Sequence, residues 1–280
     1  QLEEDLVLKT NLDLMWVLIC GIIVVFMQAG FSVLEAGSVS EKNLTNILFK
    51  NIMDISIAAV CFWLVGYGVA FGDTANGIIG TNKYGMSGIF NHGGAGGPGD
   101  DGWVFWFFQW AFAGTASTIV SGSIAERTRF QAYLCFTIFM TSFIYPVAVH
   151  WIWGQGFMSA FDANPDEHGV ARPLLTGTDR SNGVLDFAGS GVVHFVGGVS
   201  GLVGAIVVGP RRDRFNPVTG RPNETHHANS TLLCLGAIIL WFGWYAFNCG
   251  STLHISGNGA NIAGKIAVNT TIAAGASCIV

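Results

Sequence analysis

The sequence predicts an all-α integral membrane protein, and three observations carry that expectation. Only 11% of its 280 residues are charged and 51% are hydrophobic; soluble domains hold roughly 25% charged residues, so this surface needs a solvent other than water. The charges cluster between seven apolar runs, each comparable with the ~20 residues that cross a hydrocarbon core. Glycine contributes 38 residues, many inside the runs, where small side chains let helices approach closely without a hydrophobic drive.

In chain order the runs cover residues 14–34, 55–71, 103–124, a stretch within 130–161, 187–209, 230–249 and 266–280. The segments after the first, third and fifth hold Lys42, Lys50, Arg127, Arg129, Arg211, Arg212, Arg214 and Arg221, eight of the 13 basic residues. The positive-inside rule puts those segments in the cytoplasm and the N-terminus outside. Lys9, Lys83, Arg172 and Arg180 are spread over the other side, and Lys265 opens the seventh run. That last run ends without a flanking charge, and the chain starts at Gln1 rather than Met, so a piece of a longer chain is expected.

Six cysteines all fall within or at the ends of runs, with no paired spacing; they read as small apolar fillers, not a metal site or disulfide framework. The Gly-rich stretch "NHGGAGGPGDDG" at 91–102 lacks the Lys-Ser/Thr ending of a phosphate-binding loop and reads as a linker.

The fifth run poses the functional question. In "DFAGSGVVHFVGG" His194 follows Asp186 by eight residues, which on a helix is roughly 12 Å, near the midplane of a ~30 Å core. An ionisable group there usually faces a cavity or a partner and serves a function, a neutral histidine tying two helices together being the plainer alternative. Gly197, Gly201, Ala205 and Gly209 recur every four residues, a small-residue ladder near the His194 side that turns this histidine into the bundle. Asp186 suits a cap on the first turn. Trp103 and Trp151 fit an interfacial aromatic belt, whereas Phe112 and Phe247 lie deeper beside small or polar neighbours, where rings can narrow a path or meet a cation.

Four stretches in order, "MQAGFSVLEAGSVSEKN", "SGSIAERTRF", "DFAGSGVVHFVGG" and "FGWYAFNCGS", resemble the ammonium transporter branch of the ammonium transporter and Rhesus protein family. The resemblance implies a plasma-membrane, multi-pass protein with eleven transmembrane helices, assembled as a homotrimer with one pore per subunit and two five-helix halves of inverted topology. On that pattern residues 1–210 are the first half, and residues 211–280 are a cytoplasmic loop with two helices of the second. It also implies that Trp153, Phe112 and Ser251 recruit ammonium in an outer vestibule supported by Asp186. Phe112 and Phe247 would form a stacked gate, and His194 would be the first of two pore histidines. The second belongs to a tenth helix that this sequence does not reach.

The expected activity is therefore ammonium or ammonia transport, not enzymatic catalysis. No metal, cofactor or nucleic acid is expected; a lipid bilayer is the obligate partner, and any cytoplasmic regulator is unspecified. Stripping water from a bare cation is far costlier than moving a neutral amine, so the cation would lose a proton at or before the Phe112–Phe247 gate. His194, which can donate from one nitrogen and accept at the other, would line the path and relay the proton. Three alternatives stand beside this: an ammonium sensor using the same site, a seven-helix retinal receptor with Lys265 as Schiff base, and a haem protein held by His150 and His194.

Overall fold

The computed structural model describes residues 2–74, 77–89, 102–160, 183–212, 214–224 and 229–279. Among them every long element is a helix. We label these α1 (Leu2–Ser38), α2 (Glu41–Phe71), α3 (Gly102–Ile124), α4 (Phe130–Ile152), α5 (Ser190–Val208), α6 (Ser230–Gly250) and α7 (Gly259–Ile279). All but α3 are both long and apolar enough to cross a membrane. With 23 residues α3 is long enough too, and Ala113, Ala116, Thr115, Ser117, Thr118 and Ser121 are all buried along it. It can be less apolar because its surroundings are protein rather than lipid.

α3 forms the centre, packed against α1, α2 and α5, while α1 runs along α6 over much of its length. Glycines set that closeness: a Cβ at Gly236 would lie 2.4 Å from the Leu34 amide nitrogen, and one at Gly37 would lie 2.5 Å from that of Leu233. Against α3, a Cβ at Gly197 would meet the Ala116 carbonyl at 3.0 Å and one at Gly201 the Ser123 hydroxyl at 2.5 Å. The expected four-residue ladder stops there, because Gly209 lies beyond the helix end at φ 69° with open space around it. α5 keeps an exposed apolar face carrying Phe195, Leu202 and Ile206, and α7 packs chiefly on α6.

Three run boundaries need correction, the first being α1, which begins at Leu2 rather than residue 14. The second run was expected to start at residue 55, with Lys50 in a loop, but helical structure starts at Glu41 and Lys50 is buried inside α2. Hydropathy misread this stretch because Lys50, Asn51 and Asp54 face polar groups of neighbouring helices. The Asn51 amide donates to Glu35 of α1 at 2.8 Å and its oxygen accepts from Thr118 of α3 at 2.9 Å. One Asp54 oxygen accepts three hydroxyls, Ser117 at 2.7 Å, Tyr133 at 2.7 Å and Thr137 at 2.6 Å. Similarly, α7 starts at Gly259 rather than residue 266 and has 21 residues, so Lys265 lies within the helix, on an exposed face.

Three single π turns occur: Phe62–Gly66 and Met140–Ile144 interrupt α2 and α4, and Ser190–Phe195 opens α5. The second directly precedes Pro146, which has no N–H to donate and so disturbs the preceding turn. The first faces it: a Cβ at Gly66 would come within 2.3 Å of the Thr141 carbonyl. The segments joining α1 to α2, α3 to α4 and α5 to α6 gather at one end of the bundle, and those after α2, α4 and α6 at the other. The Gly-rich linker up to Asp101, together with Arg172 and Arg180, lies outside the described residues.

Candidate functional site

The entry to α5 is built around one carboxylate. Oδ1 of Asp186 accepts the Gly189 amide at 2.7 Å, and Oδ2 accepts those of Gly191 and Val192, each at 2.8 Å. These amides open the helix, where backbone donors have no intrahelical partner. Gly189 sits at φ 97°, a conformation that L side chains rarely adopt. From it the chain enters the π turn, with the amides of Val193 and His194 both reaching the Gly189 carbonyl at 3.1 and 3.0 Å. The helix therefore begins at Ser190, not at the start of the run, and His194 stands nearer the helix entrance than a continuous helix from Asp186 would put it.

Four rings from four segments line up beside this entrance. The Trp153 indole, just past α4, is 6.1 Å from Phe112 of α3 in an edge-on arrangement. Phe112 lies 4.1 Å from Phe247 of α6 at an interplanar angle of 32°, and Phe247 lies 5.6 Å from the His194 imidazole. Both phenyl rings are 1% exposed, so a solute passing from Trp153 to His194 in this line meets two rings in contact. Trp244 also neighbours the imidazole, at 6.5 Å between ring centres. His194 is half-buried, turned partly into the bundle.

A pocket of about 380 Å³ lies on the Trp153 side of the rings. Aromatic groups from Phe71, Phe105, Phe108 and Phe187 join Phe112 and Trp153 in its wall, with Gln109, Asp186, Ser251 and Thr252 supplying the polar atoms. The Ser251 hydroxyl donates to the Phe247 carbonyl at 2.8 Å. Its only proton is thereby engaged and its lone pairs are left for a donor in the pocket. Trp153 Nε1 donates to the Asp186 carbonyl oxygen at 2.6 Å, which fixes the indole in the pocket wall. Both Asp186 carboxylate oxygens are occupied by α5, so this charge acts on the pocket through its field and not as a ligand.

The sequence reading missed Gln109. Its Oε1 is buried without a hydrogen-bond partner and its side chain lines the pocket. The signal was available, since Gln109 precedes Phe112 by three residues and so shares its helix face. Outside this site, His150 is fully buried. Its Nδ1 must donate to the Ala70 carbonyl at 3.0 Å, because a carbonyl can only accept, and the structure does not bring this ring to the His194 file. Among the described residues no group of three His, Cys, Asp or Glu is arranged to hold a metal.

The model of the Ammonium Transporter Family matches residues 15–280. Ammonium transporter Amt2 of Archaeoglobus fulgidus is 39% identical over 268 residues, which are 95% of this chain and 52% of that protein. Ammonium transporter 1 member 3 of Solanum lycopersicum is 39% identical over 280 residues, covering 96% of this chain and 56% of the relative. A solved structure titled "Sensor Amt Protein" superposes with a TM-score of 0.75 at 35% identity, over 90% of this chain and 57% of its own. Mep2 of Candida albicans shares the fold with a TM-score of 0.68 at 24% identity, over 89% and 50%. The chain spans about half the length of the curated relatives it matches. A family match over nearly all of its residues, on an all-helical bundle with spans long enough for a bilayer, means that this chain belongs to the ammonium transporter family.

Proposed function

We propose that the protein moves ammonium or ammonia across a membrane by a route from the Trp153 pocket, past the Phe112–Phe247 pair, to His194. The observation that supports this most is the unbroken file of four rings, with the two phenyls 4.1 Å apart between a polar-edged pocket and an imidazole. The Trp153 face and its aromatic neighbours attract a cation through their quadrupoles. Lone pairs of Ser251 accept its N–H groups, and the Asp186 charge favours its approach. Bare cations are strongly disfavoured between apolar rings, so a proton leaves before the rings part, and His194 takes part in its relay. Potassium has no proton to give up and is excluded.

By this reading the pocket end faces outside with the N-terminus, and the basic end faces the cytoplasm. Residues 1–210 form one five-helix half, and α6 and α7 belong to a second. The protein resides in the plasma membrane as a homotrimer, a cytoplasmic regulator staying unspecified. The test is uptake by cells lacking their own ammonium transporters that express the protein carrying this sequence. His194→Ala should change uptake, its pH dependence or potassium exclusion; if all three stay as in wild type, the role given to His194 is wrong.

A sensor remains a second reading, favoured by the likeness to a structure titled as a sensor. Saturable ammonium binding without measurable flux would decide for it.

A further inference from the structure

At the opposite end of the bundle lies a second cavity, about 700 Å³ in volume, that the transport route does not use. It is lined by Lys42, Arg127, Arg129, Arg211, Arg212 and Arg214, against two acidic residues, Glu126 and Glu224. The positive-inside tendency accounts for basic residues in these loops. It does not account for their enclosure in one cavity built by three separate loops, nor for what else points into it.

Part of the basic set is already committed. Arg211 pairs with Glu126 at 2.7 Å. Arg127 donates to the carbonyls of Gly209 and Ser123, and Arg214 donates to the Asn223 carbonyl at 3.1 Å. Lys42, Arg129 and Arg212 are exposed. Between them and the carboxylates of the described residues no ion pair forms, and Glu126 is filled by Ser40, Asn43 and Arg211. Two further donors converge. Arg129 is the N-cap of α4, and no side chain caps that helix start, so its first amides and dipole favour an anion. Thr128 Oγ1 is buried with no hydrogen-bond partner, and Thr128 lines both this cavity and a smaller one of about 80 Å³ that reaches Lys50.

We infer that this cavity binds a phosphate-bearing anion, held by Lys42, Arg129 and Arg212, the Thr128 hydroxyl and the start of α4. Arginine forks and a helix start both match tetrahedral oxyanions. The shared chemistry is the phosphate group, carried either by a soluble phosphate compound or by an anionic lipid headgroup, since basic pockets between transmembrane helices take such headgroups.

Two arms of one experiment separate the sources, and neither depends on transport. Protein in neutral detergent is titrated with inorganic phosphate against sodium chloride of equal ionic strength, following the melting temperature. In the second arm the protein is reconstituted in phosphatidylcholine nanodiscs with or without phosphatidylglycerol. Saturable stabilisation by phosphate identifies a soluble source; stabilisation by phosphatidylglycerol alone identifies the headgroup. In either case the paired change Arg129→Gln with Arg212→Gln should weaken binding about tenfold or more, and Thr128→Val should weaken it to a smaller degree. Because Arg129 and Arg212 are exposed, circular dichroism should match wild type. The inference is overturned if neither additive stabilises the protein, or if stabilisation is undiminished in both variants.

Discussion

Asp186 and Trp153 are joined through the backbone: the indole N–H of Trp153 donates to the Asp186 carbonyl oxygen at 2.6 Å, while the carboxylate of the same residue caps α5. One residue thus orients both the wall of the Trp153 pocket and the helix that carries His194. Asp186→Asn keeps the size but turns one acceptor oxygen into a donor that faces backbone N–H groups. Losing such a cap costs roughly 1–2 kcal/mol, and a donor opposed to a donor adds to it. The expected outcome is a lowered melting temperature together with lost ammonium binding. Trp153→Leu should lose binding with a smaller fall in melting temperature, because it leaves the three backbone bonds of the cap in place. Equal melting of the two variants would show that the cap is not what Asp186 contributes.

The pair Asp54 and Tyr133 ties α2 to α4 deep in the bundle. Asp54 is 0% exposed and a single oxygen takes the hydroxyls of Tyr133, Ser117 and Thr137. The Lys50 ammonium lies 4.0 Å over the Tyr133 ring. Removing the carboxylate strands three buried hydroxyls at once, so Asp54→Ala should destabilise by about 3–5 kcal/mol. Tyr133→Phe removes one donor and keeps the ring under Lys50, and about 1–2 kcal/mol is expected. Chemical unfolding in detergent micelles measures both, and a Tyr133→Phe loss as large as the Asp54→Ala loss would contradict this ordering.

The close seam between α1 and α6 gives a third expectation. A methyl at Gly236 would stand 2.4 Å from the Leu34 amide nitrogen and 2.6 Å from its Cβ. Backbone must therefore move, and overpacking of this kind costs about 1–3 kcal/mol or more. At Gly198 a methyl meets nothing within 4 Å, so Gly198→Ala should be neutral or stabilising by up to about 1 kcal/mol through helix propensity. Opposite shifts in melting temperature for Gly236→Ala and Gly198→Ala are the expected pair.

What the sequence revealed follows from physics that acts locally. Hydropathy reads long apolar helices well, which is why the all-α membrane class was legible. It fails where polar groups satisfy one another inside the bundle, as Lys50, Asn51 and Asp54 do, and it therefore cut α2 short. It also cut α7 short, because Asn261 and Lys265 on exposed faces look like loop. The 4.1 Å approach of Phe112 to Phe247 joins residues 135 positions apart, and no local pattern carries it; family motifs alone suggested that pairing. Gln109 was overlooked because a lone glutamine among aromatics has no spacing signature, although its helix face was readable. His194 stands nearer the helix entrance than expected because the capping turn, 186–189, is not helical, and Gly189 was the available sign.

Glu126 links the basic end of the bundle to pH. It occupies the α3–α4 turn at φ 63°, accepting the amide and hydroxyl of Ser40 at 2.8 and 2.6 Å and the Asn43 amide at 2.8 Å, with Arg211 at 2.7 Å. Burial alone would raise this carboxyl, but the Ser40 and Asn43 hydrogen bonds and the Arg211 charge outweigh it and hold it below the usual 4.5. A depressed value in the folded state means that the unfolded chain binds the proton more readily. The stabilisation is therefore complete above the ordinary carboxylate range and is lost as pH falls from about 4.5 through the lower folded value. Glu126→Gln keeps one acceptor oxygen for Ser40 but gives up the charge opposite Arg211. Its melting temperature should lie below wild type at pH 7, and the two should converge as pH drops below 4. A gap of constant size across that window would mean that the Glu126 contribution is packing and not charge.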